Sequence, residues 1–329
     1  MISAKDIRPG QISQTKEMIR CAVLSRGWDM WLIDLQLPII VIKRKDGKCL
    51  HLYGATPPTT PYVAAMVAND KIASHQLFVE NGLPTPGTRI IDSDTSPSDL
   101  FDNFGSVVVK PVDGAHGNGI TVAIKNKLDI EPAIEYAKQF SSRVLVQEFI
   151  DSAVDIRVLC INYEFVAALI RIPARVSGDG THTIKQLIIE ENNNGSRGVN
   201  YAKEMNVIDL EKAKKFLGEK INTIPKKDQI IEVVGTANVG SGGETNEVTG
   251  NIPNWLREMS EKAAKVSELT CCGVDFLLKA EPKPESTQNE LAPKIIEINK
   301  SPSLFIHEKP NRGKPQPVVE KFVDYLASL

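Results

Sequence analysis

Between Ser106 and Ile172 the chain presents one apolar, β-branched run after another with a single helical segment among them. Ser106 to Lys110, Ile120 to Ile124, Val144 to Gln147 and Ile156 to Ile161 each read as a strand. Only Leu128 to Phe140 spaces its apolar residues as a helix does. Parallel neighbours need a crossover between every pair of strands, and these strands arrive without one. The segment DIRVLCINYEFVAALIRI reads as a hairpin turning at Asn162. The chain is therefore expected to be mixed α/β, of the α+β kind, with much antiparallel sheet.

Around this centre the reading extends in both directions. Residues 11–27 carry Ile12, Met18, Ile19, Ala22, Val23 and Leu24 at helical spacing and stop at Gly27, which suits a helix ended by a C′ glycine. WLIDL, PIIVI and CLHLY follow as three strands, and the Pro/Thr-rich stretch from Ala55 to Pro61 marks a subdomain boundary. Helical pattern resumes near Val63 and again from Asp70 to Asn81, before the turn NGLPTPG and the strand TRIID. Beyond Arg171 the polar stretches GDGTHT, ENNNGSRG and VGSGGETNEVTG flank one clear helix, Ile184 to Glu191. Loops of that length in a compact domain are commonly functional. A helix from Pro253 to Thr270 leads to GVDFLL and KIIEIN, two adjacent strands, with a solvated insert, EPKPESTQNELAP, between them.

Bulk properties exclude several classes. Thirty-nine Lys and Arg balance 41 Asp and Glu in 329 residues, so neither a nucleic-acid footprint nor an acidic tail is implied. The five cysteines fall in no CxxC or Cys/His spacing that suits zinc and read as reduced thiols. The N-terminus MISAKDIRPGQ has no apolar core of a leader, and no run is long enough to span a bilayer. A cytoplasmic protein without membrane association is the expectation.

Two segments carry chemistry. In VVVKPVDGAHGNGI a strand ends at Lys110, then Gly114, Gly117 and Gly119 precede the next strand. Such glycines let backbone N–H groups close around phosphate oxygens, and the lysine adds a fixed positive charge. The order of a Walker A loop is absent, and a glycine-rich hairpin without ligand is the alternative. In IIEIN, Glu297 and Asn299 stand two apart and share a strand face, while Asp275 in DFLL brings a second carboxylate from the neighbouring strand. Oxygen ligands of this kind suit magnesium, whereas solvated strand ends are the alternative for any one of them. Between these segments LVQEFI runs into Gln147, Glu148, Phe149 and Ile150, a stretch able to offer polar groups to an exocyclic amine between apolar neighbours.

Taken in order, Lys71, the KPxxGxxGxGI-like loop, QEFI and the terminal Asp/Glu/Asn trio resemble the ATP-grasp ligases. The closer similarity is to the ATP-grasp module of cyanophycin synthetase and the glutathione-synthetase module of the fused bacterial enzymes. It rests on DIRVLCINYEFVAALIRIPARVSGDGTHTIKQLI, ANVGSGGETNEVT and EINKSPSLFIHEKPNRGKPQPV and covers about residue 69 to the C-terminus. The resemblance implies a nucleotide held between two mostly antiparallel sheet subdomains, a smaller N-terminal α/β lobe over residues 1–68, an ATP-grasp domain over 69–329 and a lid near 104–150. It implies that Lys71 and Lys110 hold phosphates under the Gly114 to Gly119 loop, that Glu148 or its neighbouring backbone meets adenine, and that Asp155 meets ribose. Asp275, Glu297 and Asn299 would bind magnesium, or manganese in its place, and Arg171 would stabilise an acyl phosphate. Two departures stand out: Arg175, where relatives carry a small or amide residue, and the insert from Glu281 to Pro293.

The implied reaction is ATP-dependent joining of the carboxylate of an amino acid, peptide or other acid to an amine, through an acyl phosphate, with release of ADP and phosphate. Neutralising charge and positioning the groups is most of the work. Arg171, or the amides at Gly240, Gly242 and Gly243, would meet the tetrahedral oxyanion. Arg171, Arg175, Lys185, Arg197, His307, Arg312 and Lys314 form a basic collection that would favour an acid with more than one carboxylate. Solvated positions are the alternative for Arg197 and others of the set, and His182 reads as structural or solvated. A true glutathione synthetase and a non-catalytic ATP-binding regulator are the competing functions, and a homo-oligomer accords with the resemblance.

Overall fold

Asn162 and Tyr163 both take left-handed backbone angles, φ 54° and 63°, the combination a two-residue type I′ hairpin turn requires. They join Val154–Ile161 to Glu164–Ile172, so the hairpin anticipated at Asn162 forms there. In the sheet the strands run Glu164–Ile172, Val154–Ile161, Cys271–Leu278, Lys294–Asn299 as neighbours. The last two are antiparallel, with Gly273 opposite Asn299 and Asp275 opposite Glu297, and the register shifts between Asp275 and Phe276. This is a computed structural model; it describes residues 1–8, 10–92, 97–113, 118–199 and 205–329.

The chain divides into two units, the first made of Met1–Thr85, Ile156–Ile170 and Glu247–Leu329. Its N-terminal part is an antiparallel meander of Ile2–Ser3, Asp29–Leu32, Ile39–Lys43 and Cys49–Tyr53. Helix Gln14–Ser25 is capped by Ser13 and ends before Gly27, whose φ of 70° fits the C′ role read from the sequence. Ile19, Ile40, Ile42, Leu52, Leu159 and Phe322 share one buried core, so the meander, the hairpin and the C-terminal helix Val318–Ser328 pack as one body. Helix Lys71–Glu80 starts where Asp70 accepts hydrogen bonds from the amides of Ile72 and Ala73. The insert after Leu278 is largely exposed, as expected, yet it is ordered. It folds a capped turn, Gln288–Leu291, and Trp255 donates its indole N–H to the Ser286 carbonyl.

The second unit comprises Pro86–Asp155 and Arg171–Asn246. An antiparallel sheet in the order Thr88–Ile90, Val144–Glu148, Val107–Pro111, Thr121–Ile124 covers the strands expected there. Val107, Val109, Val144 and Val146 turn one face onto helix Ile130–Lys138, while Lys110 and Gln147 lie on the other. Downstream, helix Ile184–Asn193 starts with a capping box between Thr183 and Gln186. Helix Leu210–Leu217, unforeseen, joins it in a core with Val176, Ile188, Ile208 and Val233. Four of its eight residues are charged, which hides the apolar stripe until Asp209 is seen capping it. Among the described residues no helix is long and apolar enough to cross a membrane.

Candidate functional site

Lys110 is next to last in its strand, Val107–Pro111, and only 7% exposed. Val108 pairs with Gln147 and Lys110 with Leu145, which makes Lys110 and Gln147 diagonal neighbours on one sheet face. Lys110 Nζ donates to Gln147 Oε1 at 2.8 Å, and Gln147 Nε2 donates to Thr88 Oγ1 at 2.8 Å. The ammonium is thus aimed by a relay across three strands. Glu148, one residue on, faces the opposite way and accepts from the Gly87 amide at 3.1 Å, while its own amide donates to the Gly87 carbonyl at 2.8 Å. Phe149 and Ile150 are half-buried beside it.

Gly119 has φ +73°, and a Cβ there would come within 2.8 Å of Phe140 and 3.1 Å of Pro111, so close packing demands glycine. Gly114 and Gly117 lie outside the described residues. Asp155 accepts from Arg171 Nε at 2.8 Å and sits 2.7 Å from Nη2. The proposed ribose and acyl-phosphate residues are therefore a salt bridge on adjacent strands of the hairpin. Lys71, in the first unit, opens its helix and is half-buried.

The glycine turn is already satisfied internally. Gly240 N donates to Asn238 Oδ1 at 2.8 Å, Gly242 N to the Val239 carbonyl and Gly243 N to the Asn238 carbonyl. A Cβ on Gly243 would sit 2.8 Å from the Ile172 carbonyl, so the turn's backbone lies against the end of that strand. Arg197, 1% exposed at its side chain, reaches Glu191, the Asn206 carbonyl and the Gly242 carbonyl, each at 2.9 Å. Such an arginine ties the helix Ile184–Asn193 to the turn. Arg175 is half-buried and pairs loosely with Glu244 at 3.3 Å, whereas Lys185, Arg312 and Lys314 are exposed. His182 is exposed and pairs with Asp179, which raises its pKa and holds that of the carboxyl well below the usual range.

In the first unit Asp275 is 0% exposed, and a residue the sequence reading passed over grips it. Arg157 donates from Nε to Oδ1 at 2.5 Å and from Nη2 to Oδ2 at 2.6 Å, a bidentate pair. Asn299 Nδ2 donates to Oδ2 at 3.3 Å. Glu297, directly opposite Asp275, is half-buried, and its side chain makes no hydrogen bond or ion pair among the described residues. Two carboxylates and an amide oxygen on one face fit an oxygen-seeking cation such as magnesium. Among the described residues no group of three His, Cys, Asp or Glu is placed to hold a metal. Arg157 was legible only as an alternate position on its strand, since nothing local to DIRVLC points to a partner more than a hundred residues away.

His307 is 0% exposed, its Nδ1 3.4 Å from Glu247 Oε2, and among the described residues neither ring nitrogen has a hydrogen bond. Glu247 Oε1 accepts from the Thr249 amide and hydroxyl. Burial pushes the imidazole pKa down; the Glu247 carboxylate opposes this and Arg157 adds to it. A group depressed from its ordinary 6.5 binds its proton more readily when unfolded. Stability is then fully present above that pH and declines as pH falls below it. We expect denaturation midpoints of the first unit to fall below pH 6.5, and His307→Gln to flatten that decline; an unaltered pH profile would refute this.

Residues 68–181 match the RimK-like ATP-grasp domain. The chain is 29% identical over 274 residues to the glutathione biosynthesis bifunctional protein GshAB of Listeria innocua, covering 80% of this chain and 35% of that protein. It is 30% identical over 273 residues to cyanophycin synthetase of Trichormus variabilis, covering 81% of this chain and 30% of the relative. The chain thus spans about a third of the length of these curated relatives. The crystal structure of a bifunctional glutathione synthetase from Pasteurella multocida superposes with a TM-score of 0.65 at 22% identity, covering 97% of this chain and 44% of that one, a likeness of fold.

Proposed function

We propose, from the match of residues 68–181 to the RimK-like ATP-grasp domain, that the chain is an ATP-dependent carboxylate–amine ligase working through an acyl phosphate. The observation that carries this reading is the register that sets Asp275 against Glu297 with Asn299 two residues along. In the second unit, the buried, aimed ammonium of Lys110 supports a phosphate-binding role, and Gly119 packs against Pro111, the residue after Lys110. Glu148 orders the segment that meets the base through its double contact with Gly87 rather than by standing clear of the backbone. Lys71 is assigned a phosphate contact, and residues near 104–150 the role of a lid, in a domain that begins at 69.

Magnesium, held by Asp275, Glu297 and Asn299, would supply charge neutralisation at the triphosphate. Arg171 stabilises the carboxylate as it becomes phosphorylated and the oxyanion as the amine attacks. It receives that role because the amides of Gly240, Gly242 and Gly243 already donate within their own turn. Asp155 keeps the guanidinium oriented until ribose competes for its carboxylate. Excluding water protects the anhydride from hydrolysis. Arg175, loosely held by Glu244, is the basic residue best placed in this set to take a substrate carboxylate.

Phosphate release measured with ATP, magnesium and a panel of acids and amines tests the reading. We expect release only when an acid and an amine are both present, and a hydroxamate when hydroxylamine replaces the amine. A γ-glutamyl dipeptide with glycine as the sole active pair would make it a glutathione synthetase. ATP binding without turnover on any pair would make it a regulator.

A further inference from the structure

A bound, buried arginine is ordinarily fixed by several acceptors, as Arg197 is by three. Arg157 differs. Its hydrogen bonds among the described residues all go to the one carboxylate of Asp275, so that carboxylate alone sets where the guanidinium lies. The path to it crosses Gly273, where a Cβ would stand 2.9 Å from Arg157 Cδ and 3.3 Å from Nε. The strand has thus left out a side chain to let the arginine lie down on it. Opposite, the Glu297 side chain has no partner among the described residues, and Asp275, Glu297 and Arg157 together carry a net charge of −1, one positive group against two negative.

We propose that Arg157 is a positioning residue that stands in for the metal cation: it holds both oxygens of Asp275 while no cation is present and yields when one arrives with its nucleotide. The inference rests on the metal site proposed above. A divalent cation entering alone meets a guanidinium already occupying the carboxylate and a site of low net charge, so it binds poorly. A cation carried by a triphosphate brings its own negative charge, which repels neither Asp275's new ligand nor the displaced arginine; the freed guanidinium then faces phosphate oxygens, for which its forked geometry is suited. The arrangement ties metal occupancy to nucleotide occupancy and keeps Asp275 preoriented in the meantime.

Manganese binding without nucleotide, followed by electron paramagnetic resonance at pH 8, reads this directly. Arg157→Gln is expected to bind manganese alone at least about 10-fold more tightly than wild type, and Glu297→Gln added to it should abolish the gain. Gly273→Ala, whose Cβ displaces the guanidinium without deleting its charge, should shift affinity the same way by a smaller factor and decides the question if Arg157→Gln fails to fold. Unchanged manganese affinity in the folded arginine and glycine variants overturns the proposal. A parallel titration with a non-hydrolysable ATP analogue separates the two ideas. If Glu297→Gln weakens manganese binding there while Arg157→Gln alters nothing without nucleotide, the metal site stands and the stand-in role falls. If Glu297→Gln is without effect there as well, the metal site falls and takes the proposal with it.

Discussion

Glu297→Gln should lower ATP-dependent turnover by about 10³-fold, the scale of removing one preorganised charge from a phosphoryl-transfer site, while leaving the fold as stable as before or slightly more so. The second half of that expectation comes from the geometry. Glu297 lies opposite Asp275 across an antiparallel pair and has no partner of its own among the described residues. Like charges directly opposite one another destabilise a sheet, so a neutral amide of the same shape relieves repulsion. No buried group is orphaned by the change. Thermal denaturation of the ligand-free variant, set beside its rate of phosphate release, checks both halves. A drop in midpoint matching the loss of activity would mean that Glu297 is a structural residue.

Asp275→Asn should do the reverse and cost stability outright, by about 3 kcal/mol or more, because it leaves a largely buried guanidinium without its counter-charge. Asp275 is fully buried and both of its oxygens are engaged by Arg157. Removing one member of such a pair exposes the desolvation cost of the other, whereas removing both does not. Asp275→Asn combined with Arg157→Gln should therefore lose less than the two single changes added together. Trp28, Trp31 and Trp255, the three tryptophans of the chain, all lie in the first unit, so their fluorescence during urea unfolding reports on the unit that holds the pair. Strict additivity in that cycle would show that the two side chains do not depend on one another. The contrast between neighbouring carboxylates is the point: Asp275 is bound into the fold, and Glu297 stands clear of it.

The sequence by itself determined which segments are strands and helices wherever a regular apolar pattern met a turn or cap of definite chemistry. Asn162 marked the hairpin because it tolerates a left-handed backbone, Gly27 ended its helix for the same reason, and Asp70 began the next one through its side chain. It also determined that Glu297 and Asn299 share a face, since strand side chains alternate. It was silent where apolar residues are diluted by charge, as in Leu210–Leu217, and where a strand is polar, as in Glu244–Glu247. What tertiary structure alone decided is who pairs with whom. Asp275 meets Arg157, Asp155 meets Arg171, Lys110 meets Gln147, and Arg197 is drawn into three bonds that take it out of the basic collection. Local pattern fixes the direction a side chain points, through the two soft angles of its own residue. Its partner is fixed by strand register and by burial, which depend on residues far along the chain and on the cost of leaving a buried charge alone.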